Sequence, residues 1–156
     1  MGGGKETQCS LVIIDRVMAD PSFQHTMTMF YGGEYERGKE EITNLIMSDP
    51  SNPNLYLNRA LFLSQMGMDG EAIGDLEICL SLNPRSHIAY FNLFSIQTRY
   101  EQWLPAYQSL CCSLSCLYLI KARNSKSIQD AETSIQHAHN NYEAHVLKGL
   151  LHLQQK

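Results

Sequence analysis

The chain has 156 residues, of which 44% are hydrophobic and 18% are charged, as in an ordinary globular protein. Its net charge of -4 at pH 7 argues against a nucleic-acid partner and against binding to an anionic membrane. The longest apolar run, near residues 110–120, is interrupted by Ser and Cys and is too short to span a bilayer, so we predict no membrane insertion. The five cysteines form no spaced disulfide framework. We therefore predict a cytoplasmic protein, with a cilium or another cytoskeletal structure as an alternative location.

The N-terminal third of the chain is predicted to hold one pair of helices. Residues 1–18 are expected to be a partly flexible segment. A first helix is predicted over residues 21–31, and a second over residues 35–47 follows the Gly-Gly pair at 32 and 33. Prolines at positions 50 and 53 end this pair, because proline removes a backbone donor and breaks a helix.

The clearest pair of amphipathic helices lies in residues 53–84. Apolar and small residues recur at i, i+3, i+4 and i+7 in each half, and a glycine-containing turn at residues 67–70 separates the halves. This pattern predicts a helix, a tight turn and an antiparallel helix. The face positions are Leu57, Ala60, Leu61 and Ser64 in the first helix, and Ala72, Leu76, Cys79 and Leu80 in the second.

A fixed period relates this pair to its neighbours. Pro50 and Pro84 each end a helical pattern, and they lie 34 residues apart. The same interval relates further positions, which indicates a sequence repeat. These positions are Phe23, Leu57 and Phe91; Gln24, Asn58 and Asn92; and Gly38, Ala72 and Ala106.

The repeat at residues 53–84 resembles the tetratricopeptide repeat, whose motif runs W-x2-L-G-x2-Y, then A-x3-F-x2-A, then P. Arg59, which replaces a Leu of the motif, is the one clear departure. The resemblance implies an all-α fold, an α-α superhelix of antiparallel helical hairpins, with three hairpins in residues 19–120. The matching positions are Tyr56, Arg59, Ala60 and Leu63 in the first helix, and Ala72, Leu76, Cys79 and Pro84 in the second.

The period breaks after the third hairpin. Its helices are predicted from Ser86 to about residue 99 and from residues 102–105 to about 122, but the next small residue, Ala131, follows Ala106 by 25 residues. Nine residues of a full repeat are missing. Either a first helix has been lost, or the long helix has merged with it. Residues 121–156 are therefore predicted to be an irregular C-terminal helical pair.

The last predicted helix carries leucines on more than one side. An open end of a solenoid exposes the apolar surface that a further repeat would cover. This helix either folds back on the helix before it, docks on another chain, or belongs to a longer array. For docking or self-association we predict an assembly face made of Leu147, Leu150 and Leu151.

No motif for catalysis or metal binding is found. The sequence has no G-x-S-x-G, no phosphate-binding glycine loop and no H-E-x-x-H. His145 and His152 share a helix face, but a third ligand at zinc spacing is missing. Cysteines 111, 112 and 116 are interpreted as small residues of a packed helix. We predict a protein without enzymatic activity, cofactor or metal.

The resemblance implies a concave groove lined by the first helix of each repeat. Three amides and three apolar residues at repeat spacing are candidates for binding an extended peptide, because a carboxamide both donates and accepts hydrogen bonds. Alternatively, the amides bond to a neighbouring helix or face water, and the apolar residues belong to the core. The predicted partner-binding residues are Phe23, Gln24, Leu57, Asn58, Phe91 and Asn92.

The groove positions of the three repeats carry no Lys or Arg, so a clamp for an acidic peptide terminus is disfavoured. We therefore expect a non-catalytic scaffold or adaptor that binds a peptide or helix of a partner protein. The alternative is a structural subunit of a larger assembly, for example a ciliary complex, that docks through its apolar C-terminal helix.

Overall fold

The computed structural model describes residues 21–139 and 141–154, and the predicted N-terminal segment 1–18 lies outside them. Over the described residues the secondary structure consists of eight α-helices and includes no strand. The helices are α1 (Pro21–Tyr31), α2 (Tyr35–Ser48), α3 (Pro53–Gln65), α4 (Asp69–Leu82), α5 (His87–Arg99), α6 (Trp103–Ser125), α7 (Ile128–His137) and α8 (Tyr142–Gln154).

The chain divides into two compact units, with the boundary between Pro84 and Arg85. In the first unit α1 packs on α2, α2 on α3 and α3 on α4; in the second, α5 packs on α6, α6 on α7 and α7 on α8. Helices joined by short turns that pack on their sequence neighbours are antiparallel hairpins. The all-α class is therefore confirmed. The division lies between the second and third hairpins, and the limits of residues 19–120 and 121–156 stay a prediction.

The turns inside the three hairpins repeat the 34-residue period in their backbone geometry. Each turn has one residue with a positive φ, at 76° for Gly33 and Gly67 and 54° for Glu101. A hydrogen bond that spans five residues closes each helix before its turn, as in a Schellman motif. These bonds are Glu34 N to Met29 O (2.9 Å), Met68 N to Leu63 O (2.9 Å) and Gln102 N to Gln97 O (3.0 Å).

Helix starts also recur at this spacing. The side-chain oxygen of Asn52 accepts a hydrogen bond from the Asn54 amide at 3.1 Å, and Pro53 follows as the first residue of α3. The hydroxyl of Ser86, 34 residues later, accepts one from the Ala89 amide at 3.3 Å. Local capping thus fixes where α3 and α5 begin.

The core of the first unit is built around the ring of Phe62, which is fully buried. Its ring contacts Phe30 edge-on, with centroids 5.2 Å apart, and approaches Tyr35 at 6.4 Å. On another side the ring lies against Gly38, where an added Cβ would come within 2.2 Å of Phe62 Cε1. Gly38 occupies the small-residue position of its repeat because no methyl group fits beneath this ring.

Arg59, the departure from the repeat motif, ties three helices together. Its guanidinium forms a bidentate pair with Asp75 of α4, with both N···O distances at 2.8 Å. Arg59 Nη1 also donates to Thr43 Oγ1 of α2 at 3.3 Å. Asp75 is buried, so this ion pair is a structural element of the hairpin formed by α3 and α4.

Helix α6 packs on two partners through different sides. On the α5 side, Ser109 donates to the Gln97 amide oxygen at 2.8 Å and Ser113 to the His87 carbonyl at 2.9 Å. On the α7 side, Ser115 Oγ donates to the Ser134 carbonyl at 2.9 Å. Residues two apart on a helix point about 200° from each other, so Ser113 and Ser115 face different neighbours.

The break in the period is explained by this shared helix. Helix α6 is continuous and ends at Ser125. Lys126, which follows it, has a φ of 53°, and the hydroxyl of Ser127 caps the start of α7. No separate helix lies between α6 and α7 in this described stretch. Of the two alternatives, the structure agrees with the merged helix: α6 is the second helix of the hairpin that it forms with α5 and the first helix of the hairpin that it forms with α7.

Candidate binding surfaces

The predicted groove residues of the first unit are mostly buried. Phe23 and Leu57 are each 3% exposed and Asn58 is 1% exposed, whereas Gln24 is exposed. The structure therefore buries Phe23, Leu57 and Asn58 and does not present them in an open groove. Their side chains lie in the packing of α1 and α3, which was the alternative interpretation for the apolar pair.

Asn58 makes one hydrogen bond between helices and leaves one atom unpaired. Its amide nitrogen donates to Thr26 Oγ1 at 2.6 Å, and that hydroxyl donates onward to the Phe23 carbonyl at 3.0 Å. Because the hydroxyl proton is directed to Phe23, Thr26 accepts from Asn58. The Asn58 Oδ1 atom is buried without a hydrogen-bond partner. An unmet buried acceptor costs about 1–3 kcal/mol.

An apolar cluster lies on the same two helices as this amide. Phe23 and Met27 are buried together, and Phe30 and Leu61 pack against them while partly exposed. These four residues and Asn58, of which only Phe30 and Leu61 are partly exposed, are called the α1–α3 cluster below. It combines apolar contact area with a polar acceptor that could fix the register of a bound chain.

In the second unit, Phe91 and Asn92 are half-buried. Phe91 packs on Phe94 with ring centroids 5.9 Å apart. Asn92 donates from Nδ2 to the Ile88 carbonyl of its own helix at 2.9 Å, unlike Asn58, which bonds across helices. The amides at repeat spacing therefore do not share one bonding pattern.

The predicted assembly face on α8 needs a correction. Leu151 is 5% exposed and Leu147 is half-buried, so both lie on the side of α8 that packs inward. Leu150 is 53% exposed, and the residues that share its outward side are Val146 at 41% and Leu153 at 69%. Adjacent positions such as 150 and 151 lie about 100° apart on a helix, and the packing of α8 on α7 buries Leu151 while leaving Leu150 exposed. We call Val146, Leu150 and Leu153 the α8 stripe.

A further exposed apolar surface was not predicted. Trp103, Leu104 and Tyr107 at the start of α6 are 65%, 68% and 65% exposed, and Tyr100 beside them is 56% exposed. Trp103, Leu104 and Tyr107 lie on one face of α6, at i, i+1 and i+4, and Tyr100 lies in the turn before that helix. The sequence already indicated that this surface is exposed, because the repeat motif places Ala106 and Ser113 on the inward face of α6. Positions 103, 104 and 107 do not belong to that inward face.

Two cysteines of α6, Cys112 and Cys116, are poorly suited to act as nucleophiles. Burial raises the pKa of the Cys112 thiol, and it raises the pKa of Cys116 to about 11. A thiol with so high a pKa stays protonated near neutral pH and is a poor nucleophile or metal ligand. Within the described residues no group of three or more His, Cys, Asp or Glu could hold a metal ion.

By length and composition, α6 is also the one described helix that could cross a membrane. It packs on α5 and on α7, however, through the buried serines described above. A core helix of this kind meets the same criterion of length and hydropathy.

The sequence matches no protein-family model and no curated protein. Among solved structures it is similar to the first TPR domain of Spaghetti (RPAP3) bound to the HSP90 peptide SRMEEVD. The TM-score is 0.52 with 19% identity, over 99% of this chain and 98% of that chain. It is also similar to MamA, with a TM-score of 0.53 and 17% identity over 83% and 84% of the two chains. The MamA RS-1 ArsTM double mutant aligns with a TM-score of 0.51 and 14% identity over 89% and 87%.

These similarities show a shared architecture. The chain has the tetratricopeptide-repeat fold, as the motif in residues 53–84 indicated.

Proposed function

We propose that this chain is a non-catalytic protein-interaction module that binds an extended peptide or a helix of a partner protein at the α1–α3 cluster. The observation that supports this proposal is the buried, unpaired Oδ1 of Asn58. The fold adds support, because the RPAP3 domain with the same architecture is described as bound to a peptide.

The chemistry of the ligand follows from this acceptor and its surroundings. A backbone N–H of an extended chain would donate to Asn58 Oδ1 and remove the cost of leaving it unpaired. Apolar side chains of the ligand would contact Phe30 and Leu61, which are the partly exposed members of the cluster. Since Asn58 is 1% exposed, binding includes a local rearrangement of the cluster that admits the ligand.

The charge of the surface favours a neutral ligand. The peptide SRMEEVD, with which the RPAP3 domain is described, has three acidic residues at its end. The groove positions of α3 are Asn54, Leu57, Asn58 and Leu61, and none is basic. An acidic peptide would lose its hydration here without gaining a cationic partner, so it should bind more weakly than a neutral one.

Selection from a phage-displayed library of random peptides, followed by fluorescence polarisation with the selected peptides, tests this proposal. We expect enrichment of neutral, apolar sequences, and Asn58→Ala should weaken their binding by roughly 10-fold, the equivalent of one hydrogen bond of about 1.4 kcal/mol. Asn44→Ala is the matched control, because Asn44 is an exposed amide on α2. Equal effects of the two substitutions, or tighter binding of SRMEEVD than of the selected peptides, would contradict the proposal.

A second candidate function rests on the α8 stripe. Three apolar side chains exposed on one face of the last described helix suit a structural subunit that docks on a neighbouring subunit. If the α8 stripe mediates association, Leu150→Lys should abolish the growth of the solution mass with protein concentration that this contact causes. Leu151→Lys is not a valid test, because it places a charge at a buried position.

A further inference from the structure

The exposed face at the start of α6 has the composition of a protein interface. Trp103, Leu104 and Tyr107 lie on one side of the helix, and Tyr100 extends this face into the preceding turn. Tryptophan and tyrosine are enriched among the residues that dominate binding energy. We call these four residues the α6 aromatic surface; none of them belongs to the groove or to the α8 stripe.

The area of this surface is close to what a reversible dimer needs. An aromatic side chain presents about 150–250 Å² when fully exposed. At 56–68% exposure, the four residues together present on the order of 500 Å². Two such surfaces in contact would bury about 1,000 Å², near the lower limit of specific interfaces. This area favours a weak dimer in equilibrium with the monomer.

The charge of the surface favours a second copy of the same chain. In a twofold interface each residue meets the same surface again, so any charge near the centre opposes itself. Trp103, Leu104 and Tyr107 are uncharged, and the exposed residues Gln102 and Gln108 carry amides, which both donate and accept hydrogen bonds. Glu101, in the turn before α6, is an exposed charged neighbour, so a twofold contact has to centre on α6 and leave this carboxylate at the solvated rim. The chain as a whole has a net charge of -4, which makes a neutral surface the favourable place for two copies to meet.

We propose that the α6 aromatic surface pairs with the same surface of a second copy and forms a twofold dimer. The start of α6 in one protomer packs antiparallel to the start of α6 in its partner, with Leu104 near the axis and the aromatic rings of each copy against those of the other. Offset or edge-on contacts between such rings add to the stabilisation by apolar burial.

The single tryptophan of the chain makes the test direct. Light scattering and Trp103 fluorescence are measured on the full chain across a wide range of concentration. We expect the mass to rise from monomer to dimer, and the emission to shift to shorter wavelength over the same range as Trp103 leaves water. Tyr107→Ala should weaken the dimer by roughly 30-fold, the loss typical of a hot-spot residue, and Leu104→Lys should abolish it.

Two substitutions serve as controls, and circular dichroism establishes that all variants remain folded. Met47→Lys alters an equally exposed apolar side chain on α2, at 74% exposure, and should leave the dimer unchanged. A mass that stays monomeric at all concentrations would overturn the proposal. So would a dimer that Leu150→Lys abolishes and Leu104→Lys does not, which would assign association to the α8 stripe. A monomer whose Trp103 emission shifts only on addition of phosphatidylcholine vesicles would assign the surface to a lipid bilayer and would also overturn it.

Discussion

The contact between Gly38 and Phe62 makes a prediction that runs against the usual effect of glycine in a helix. Gly38 lies inside α2, where alanine would ordinarily be the better residue. Here, a Cβ on residue 38 would lie 2.2, 2.8 and 2.9 Å from three carbons of the Phe62 ring. The ring is held by Phe30 and Tyr35 and is fully buried, so it cannot turn aside freely. We expect Gly38→Ala to destabilise the first unit.

Two opposing effects set the size of the change. Replacing glycine by alanine inside a helix stabilises by about 1 kcal/mol. Forcing an extra methyl group into a packed core costs about 1–3 kcal/mol. The net effect on the free energy of unfolding should be a loss of about 1 kcal/mol. Gly74 in α4 provides the matched control, because an added Cβ there meets no atom within 4 Å. Gly74→Ala should raise the free energy of unfolding by about 1 kcal/mol.

Urea unfolding followed by circular dichroism at the helical band measures both variants. Phe62→Leu is itself destabilising because the ring is fully buried, but in a double-mutant cycle the cost of Gly38→Ala should be smaller in the Phe62→Leu background, since the smaller side chain makes room for the methyl group. If Gly38→Ala stabilised the chain as much as Gly74→Ala, the ring would not occupy the space over residue 38 and our account of this repeat would fail.

Three further predictions follow from local geometry. Glu101 holds a positive φ at the position where the earlier turns have glycine, so Glu101→Gly should stabilise by about 1 kcal/mol in thermal unfolding, and Gly67→Glu should destabilise. Burial lowers the pKa of His87 below 6.5 in the folded chain, so His87 is protonated at a higher pH in the unfolded chain than in the folded chain. The free energy of unfolding should therefore decrease as the pH falls below 6.5. His87→Gln should weaken this pH dependence. Asp75→Leu leaves the Arg59 guanidinium without its carboxylate partner and should cost about 3 kcal/mol. The double change Arg59→Met with Asp75→Leu should cost less, which a double-mutant cycle with the two single variants would measure.

The backbone of this chain is the part that its sequence predicts well. The 34-residue interval between Pro50 and Pro84 reappears in the turns at Gly33 and Gly67 and in the bonds that close the helices before them. Such features depend on residues close together in the chain, namely caps, turn glycines and prolines. The positive φ of Glu101 was not predicted, because glutamate rarely adopts this conformation. Only the 34-residue spacing from Gly67 indicates it.

Side-chain exposure was harder to predict, because it depends on neighbours that are distant in sequence. Period and motif place Asn58 on the groove side of α3, but its burial depends on Thr26 of α1, 32 residues away. Leu150 and Leu151 are identical residues, and only the packing of α8 on α7 decides which of them faces outward. The shortened fourth repeat likewise left two alternatives that composition could not separate.

The shared helix α6 has a mechanical consequence for the second unit. Its 23 residues form a rod about 35 Å long, and no loop interrupts it between the α5 contact and the α7 contact. Hinges in repeat proteins need a flexible joint between one helical pair and the next, and here that joint is replaced by continuous helix. We therefore expect a partner that moves α5 together with α6 to move α7 as well, because both helices pack on the same continuous helix.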